Sequence, residues 1–254
     1  MGGEYVITQH DFDFSGKTVL VTGAASGIGA AIARAFAEHG ATLKLADRDA
    51  QGLSTLAASL NANTATFVYD QADTKSVLDL AQWAGTLDVL ANNAGIVSVG
   101  PSETHDPGLV ETVVKTNLIG PIVLANAVGA RMLERGHGVI INTTSQLAFC
   151  GAPQRAIYAS TKAGLAQFTR SIASEWGPRG VRVAAIAPGR TLTPLNADVL
   201  SDDSKRAEAL TAIPAGRFAS AEEIAHLTVM LASDIGSYIV GQSLIADGGY
   251  VIAQ

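Results

Sequence analysis

Short aliphatic runs alternate along the chain with longer segments whose apolar residues recur at helical spacing. The short runs are KTVLVTG, ATLKLAD, ATFVYD, LDVLANN, GVIINTT, VRVAAIAPG and SLIADGG; the longer ones are Ile28–Glu38, Gln51–Leu60, Ser76–Ala84, Val110–Glu134 and Ile157–Trp176. Because the short runs are continuously apolar, they predict strands buried on both faces, and strand–helix–strand repetition makes the sheet parallel. The expected fold is α/β: one domain over residues 1–254, a doubly wound parallel sheet of about seven strands with helices on both faces. Residues 1–15 read as an N-terminal extension. The rhythm breaks over residues 190–215, which contain two prolines, and helical spacing resumes only at SAEEIAHLTVMLAS. A long excursion of this kind reads as a substrate loop or lid.

Composition narrows the classes. The chain has 254 residues, is 48% hydrophobic, and carries a formal charge of −6 with no basic stripe, so no nucleic-acid partner is expected. A single cysteine, Cys150, excludes an intrachain disulfide and a cysteine-based zinc site. His10, His39, His105, His137 and His226 show no ligand spacing, so no metal is expected. No apolar run reads as long enough to span a membrane, and the start MGGEYVITQH has neither a secretory pattern nor the residue a myristoylation signal needs at position six. The expected setting is cytoplasmic, with no membrane partner.

VLVTGAASGIGAAIARAFAEHGA joins a strand, a glycine turn and a helix. Gly23, Gly27 and Gly29 suit a tight turn and close approach of a pyrophosphate, and the N–H groups at the helix start (Ser26, Ile28) would face the phosphates. Asp47 ends the next strand, where a carboxylate accepts hydrogen bonds from both adenine-ribose hydroxyls and repels a 2′-phosphate. Ser26 stands where a phosphate-binding cation could have been. Both point to NAD rather than NADP; Arg48 is the opposing hint.

Tyr158 and Lys162 are four apart on one helix face, and Ser145 follows the strand GVIINTT. A phenol is a weak base at neutral pH, and a nearby ammonium is expected to lower its pKa. Such a phenol can exchange a proton with an alcohol or ketone while hydride moves to or from nicotinamide.

Together these motifs make the chain resemble the short-chain dehydrogenase/reductase family along nearly its whole length, which implies a Rossmann fold. The resemblance places Asn92, Asn93 and Gly95 of NNAG beside the adenosine, Asp70 and its neighbour Gln71 at the adenine, and Asn117 next to a water by the lysine. Asn117, Ser145, Tyr158 and Lys162 are the implied catalytic residues. Pro188, Gly189, Thr191 and Thr193 of PGRTLT would wrap the nicotinamide, with Tyr158 and Lys162 also touching cofactor. The helices around 110–134 and 157–176 resemble those that assemble the family's homotetramer. Three residues depart from the family pattern: Gln71 replaces a small apolar residue, Ala184 an asparagine and Arg190 a hydrophobic residue.

Substrate candidates are Ser145, Gln146, Gln154, Tyr158 and Asn196, with Leu192 and Leu195 nearby. Amides beside leucines suit a small polyhydroxylated alcohol or its ketone, and the chain resembles family members acting on sugar alcohols such as threitol or galactitol. A 3-oxoacyl-thioester reductase shares the same catalytic set. A non-catalytic NAD(H) sensor would need none of it.

Overall fold

The computed structural model describes residues 12–193 and 203–254. All seven expected strands are present: β1 (Thr18–Thr22), β2 (Thr42–Asp47), β3 (Thr64–Val68), β4 (Val89–Asn92), β5 (Gly138–Thr143), β6 (Val181–Pro188) and β7 (Ser243–Ala246). They form one parallel sheet in the order β3-β2-β1-β4-β5-β6-β7. The chain winds outward from β1 to β3, then returns to lay β4 on the other side of β1. The carboxyl ends of β1 and β4 therefore diverge at the switch point where open α/β sheets bind ligands.

The helices are α1 (Gly27–Glu38), α2 (Ala50–Ser59), α3 (Thr74–Ala84), α4 (Pro107–Val114), α5 (Gly120–Arg135), α6 (Ala156–Trp176), α7 (Asp203–Thr211) and α8 (Ala221–Ala232). Strand residues alternate between two cores. Val19, Val21, Leu43 and Leu45 pack with Ile32 and Phe36 of α1 and Ile224 and Val229 of α8. Leu20, Ile140 and Val183 pack with Leu80 of α3, Leu124 and Met132 of α5 and Ile172 of α6. Both sheet faces are thus covered, as continuous apolar strands require. Local sequence sets several helix starts: the side chains of Asp49 and Asp73 accept N–H groups at the starts of α2 and α3, and Ser220 and Glu223 form a capping box on α8.

Three expectations change. The segment from 110 to 134 is interrupted by a π-helical turn, Lys115–Ile119, between α4 and α5. The helical run Pro107–Arg135 is long and apolar enough to cross a membrane by length and composition, contrary to expectation; half of its apolar window is buried, so the fold itself takes up that apolarity. Within 190–215, α7 is a helix. Its sequence, DSKRAEALT, is too polar for an apolar stripe but rich in helix formers, with Asp203 in the first turn. Residues 194–202, and with them Leu195 and Asn196, lie outside the described residues, as does most of the 1–15 extension.

Candidate active site

The carboxyl ends of the strands open into one cleft of about 650 Å³. At its nucleotide end, Gly23 (φ 65°) and Gly27 (φ 53°) adopt the left-handed backbone that glycine permits. A Cβ on Gly29 would lie 1.9 Å from the Gly23 carbonyl oxygen, so the turn closes only because that side chain is missing. Ser26 precedes α1 without capping it, and no acidic residue occupies the first turn. The leading N–H groups of α1 therefore have no side-chain acceptor, an arrangement that can receive an anion.

Asp47 closes this end. Its carboxylate accepts the backbone N–H of Ala25 at 3.0 Å and of Asp49 at 3.1 Å. Both oxygens are thereby oriented and keep lone pairs for further donors. Arg48 lines the cleft beside it and is exposed. Asp70 also lines the cleft, its carboxylate turned partly inward to the Ala72 N–H at 2.9 Å. The departure at Gln71 has a structural reason: the Tyr69 hydroxyl donates to Gln71 Oε1 at 2.5 Å. Burial pushes the Tyr69 pKa up, so this buried phenol stays a donor.

Thr22 holds the strand that follows β4. Its Oγ1 accepts the N–H groups of Asn93 and Ala94, and Asn93 returns a bond to the Thr22 carbonyl. Asn93 and Gly95 line the cleft. Asn92 does not, which corrects its assignment beside the adenosine. It is buried in the sheet, donating to Asn142 Oδ1 and the Pro121 carbonyl at 3.0 Å each, and Asn142 continues to Thr169 of α6 at 2.9 Å. The polar chain ties β4, β5, α5 and α6 together.

At the catalytic end, Asn117 sits in the π-helical turn. Its amide is spent on the Ile96 backbone, accepting the N–H at 2.8 Å and donating to the carbonyl at 2.7 Å. The side chain thus fixes the segment after β4. Gly95 allows this close approach, because a Cβ there would lie 3.1 Å from Asn117 Oδ1 and 3.3 Å from Lys162 Nζ. Lys162 is only 3% exposed and donates to the Thr143 carbonyl at 2.8 Å. Burial lowers its pKa to about 8.

Tyr158, Ser145 and Lys162 all line the cleft. Ser145 Oγ accepts the Leu147 N–H at 3.1 Å and engages the Tyr158 hydroxyl. The Tyr158 pKa is raised: burial is the largest cause, with Ser145 and the Arg155 charge acting in the opposite direction. The expectation of a phenol lowered by the lysine is therefore corrected for the protein alone. Desolvation outweighs the favourable neighbours.

Pro188, Gly189, Thr191 and Thr193 line the wall opposite, and Thr193 packs against Gly27 of the phosphate loop. Backbone bonds from Ala219 to Arg190 (3.0 Å) and from Leu192 to Ala219 (2.8 Å) hold this segment. Of the substrate candidates, Gln146 lines the cleft, 5% exposed, with its Oε1 unpartnered. Gln154 is exposed at a left-handed turn (φ 61°) between the cleft-lining Pro153 and Arg155, and Leu192 is 44% exposed between the cleft-lining Thr191 and Thr193; neither lines the cleft itself. Cys150 is half-buried off the cleft, its thiol pushed up by burial and then by Asp247. Tyr69, Arg155 and Tyr250 also line the cleft and were not singled out from sequence. Arg155, three residues before Tyr158, could have been found from that spacing.

The donor set fits a nicotinamide dinucleotide: an uncapped helix start and glycine turn for the pyrophosphate, an oriented carboxylate for a ribose, and a buried ammonium beside a phenol at the far end. Comparison with known proteins agrees. A family model described as enoyl-(acyl carrier protein) reductase matches residues 23–251. A D-threitol dehydrogenase of Mycolicibacterium smegmatis is 42% identical over 95% of this chain and 96% of its own. An NAD-dependent glycerol dehydrogenase of Listeria innocua is 34% identical over 95% and 96%. A crystal structure from Beutenbergia cavernae, provisionally named an NAD(P)-dependent gluconate 5-dehydrogenase and holding NADP at low occupancy, superposes with a TM-score of 0.90 at 38% identity, covering 95% of this chain and 99% of the other.

Proposed function

The chain belongs to the short-chain dehydrogenase/reductase family, oxidoreductases acting on CH–OH groups with a nicotinamide cofactor, and within it we propose that it oxidises a secondary alcohol of a small polyol or sugar derivative with NAD. The observation that carries this reading is that Ser145, Tyr158 and Lys162 line the same cleft that Asp47 closes at its other end. The bound nicotinamide supplies the hydride acceptor. Ser145, held by the Leu147 N–H, orients the reacting oxygen. Tyr158 takes the alcohol proton as its phenolate and returns one from the phenol in the reverse direction. Lys162 places a positive charge next to that phenol, and Thr143 and Gly95 fix where it sits.

Gln146 favours a hydroxylated substrate, since its unpaired oxygen needs a donor. The oriented Asp47 supports NAD over NADP. The tetramer belongs to the same proposal: Tyr238 and Ile252, 100% and 88% exposed near the carboxyl end, are large apolar side chains suited to a subunit contact. A second reading, reduction of a 3-oxoacyl thioester, rests on the same catalytic residues and on the acyl-carrier description of the family model. The deciding experiment follows nicotinamide absorbance with NAD and NADP against polyols, sugar acids, simple secondary alcohols and an acyl-thioester analogue. Turnover of the thioester alone would overturn the reading. Tight NADH binding with no turnover of any class would favour a sensor.

A further inference from the structure

Two arginines stand at the catalytic end of the cleft, and among the described residues no carboxylate is paired with either. Arg155 immediately precedes α6, three residues before Tyr158, and Arg190 follows the Pro188–Gly189 turn after β6. Both line the cleft with Ser145 and Tyr158, and they are near enough for the charge of Arg190 to act against that of Arg155. Among the described residues neither guanidinium has a carboxylate partner. Arg155 donates to the Gln154 carbonyl at 3.2 Å, a neutral acceptor. The acids that line the cleft are Asp47 and Asp70, both on the nucleotide side.

Other features add to the same potential. The start of α6 has no side-chain cap and no acidic residue in its first turn, so its positive dipole end, next to Arg155 in the chain, adds to the same sign of charge. The backbone of Arg190 is held, since its carbonyl accepts the Ala219 N–H at 3.0 Å, and its side chain is exposed. Gln146, independently, offers a buried amide oxygen with no partner in the same cleft. Arg155 is half-buried and Arg190 exposed at the cleft, so two like charges share one open end of it, and guanidinium groups are the side chains best shaped to grip a carboxylate or phosphate. A neutral polyol would leave both charges unanswered.

We propose that the substrate is a polyhydroxylated anion, a hydroxyl-bearing carbon chain with a carboxylate or phosphate terminus, whose anionic end is held by Arg155 and Arg190 while a hydroxyl donates to Gln146 and the reacting carbinol lies at Ser145 and Tyr158. This rests on the dehydrogenase reading above and adds the charge of the substrate to it.

The test measures kcat/KM with NAD for a series of aldonates, the alditols of matching chain length, and the terminal phosphates of those alditols. The wild-type, Arg155→Gln, Arg190→Gln and Arg190→Lys enzymes are compared. The wild type should prefer one anionic series over the matching neutral alditols by about a hundredfold, and the preferred series identifies the anion. Each glutamine variant should lose about tenfold or more on that series relative to its own kcat/KM on the matching neutral alditol, with that extra loss appearing in KM, so that any effect of Arg155 on the Tyr158 phenol, common to both series, cancels. Arg190→Lys should recover part of the loss, and added salt should raise KM for the anion alone. If alditols and anions were oxidised alike in all four enzymes, the dehydrogenase reading would stand and the anion site would fall. If Arg190→Gln raised KM for NAD and left the substrate preference intact, the arginine would serve the dinucleotide and the proposal would also fall. Reduction of a 3-oxoacyl thioester with no oxidation of any hydroxylated compound would remove both.

Discussion

Lys162 Nζ lies 5.9 Å from the centroid of the Tyr158 ring, and its hydrogen bond goes instead to the Thr143 carbonyl at 2.8 Å. The lysine is thus anchored to the end of β5, and the phenol is approached by Ser145 and Arg155. Proton chemistry and charge placement are divided between two anchoring systems, which lets them be separated by substitution.

Replacing Tyr158 with Phe keeps the ring and removes the proton donor. Turnover should fall by about a hundredfold or more, as the removal of a general acid–base group does. NADH affinity, read by fluorescence titration, should change by less than about threefold. A Tyr158→Phe enzyme with near wild-type rate would show that another group carries the proton.

The raised pKa of Tyr158 sets the sign of the pH response. The protonated phenol is the form that donates to a ketone, so reduction should hold steady at neutral pH and fall as pH rises through the phenol pKa. Alcohol oxidation needs the phenolate and should climb over that same alkaline range. Profiles of kcat/KM in both directions, with a deuterated alcohol to confirm that hydride transfer limits the rate, test this. Oxidation that slowed with rising pH would reverse the assignment.

Lys162 is expected to cost stability at neutral pH. Its pKa is lowered by burial to about 8 from 10.5, so between those values the unfolded chain binds more protons than the folded one. Stability should therefore rise with pH from about 8 to about 10.5, by up to roughly 3 kcal/mol. Lys162→Met should flatten that rise while abolishing activity. Urea melts of both proteins across this range measure it, and parallel pH dependences would show that the ammonium is not the source.

Asp47→Ala should weaken NAD and improve NADP. Losing charge-assisted hydrogen bonds to a ribose costs about 1.5–3 kcal/mol each, so kcat/KM for NAD should fall about a hundredfold. Arg48, exposed on the same wall, would then be free to meet a 2′-phosphate. Equal use of both cofactors by the wild type would place the discrimination elsewhere.

The fold was legible because its determinants are local and repeated. Continuous apolar strands and helical stripes each announce a face, and seven strands followed from seven runs. The ends of the cleft were legible where chemistry needs a particular residue, as at Gly29, Asp47 and Tyr158. What remained hidden depended on neighbours distant in sequence. Asn92 resembles a cleft residue until Asn142 and Pro121 are seen to claim it. Gln71 looks out of place until the Tyr69 hydroxyl explains it. The pKa of Tyr158 turns on burial, which sequence spacing does not show. The α7 helix was missed because an exposed helix needs no apolar stripe, only residues that favour the conformation.

The return of the chain from β3 to β4, across β1, gives the molecule two workshops under one roof. The acids at the nucleotide end of the cleft, Asp47 and Asp70, are carried by the first three strands and their connections, whereas Ser145, Tyr158 and the two arginines come after β4. On the proposed reading Asp47 sets the cofactor and the two arginines set the substrate, and these belong to separate halves of the chain. Cofactor preference and substrate preference can therefore drift independently, each by substitutions that leave the other undisturbed. The same scaffold can turn over new alcohols without renegotiating its redox partner, and the reverse.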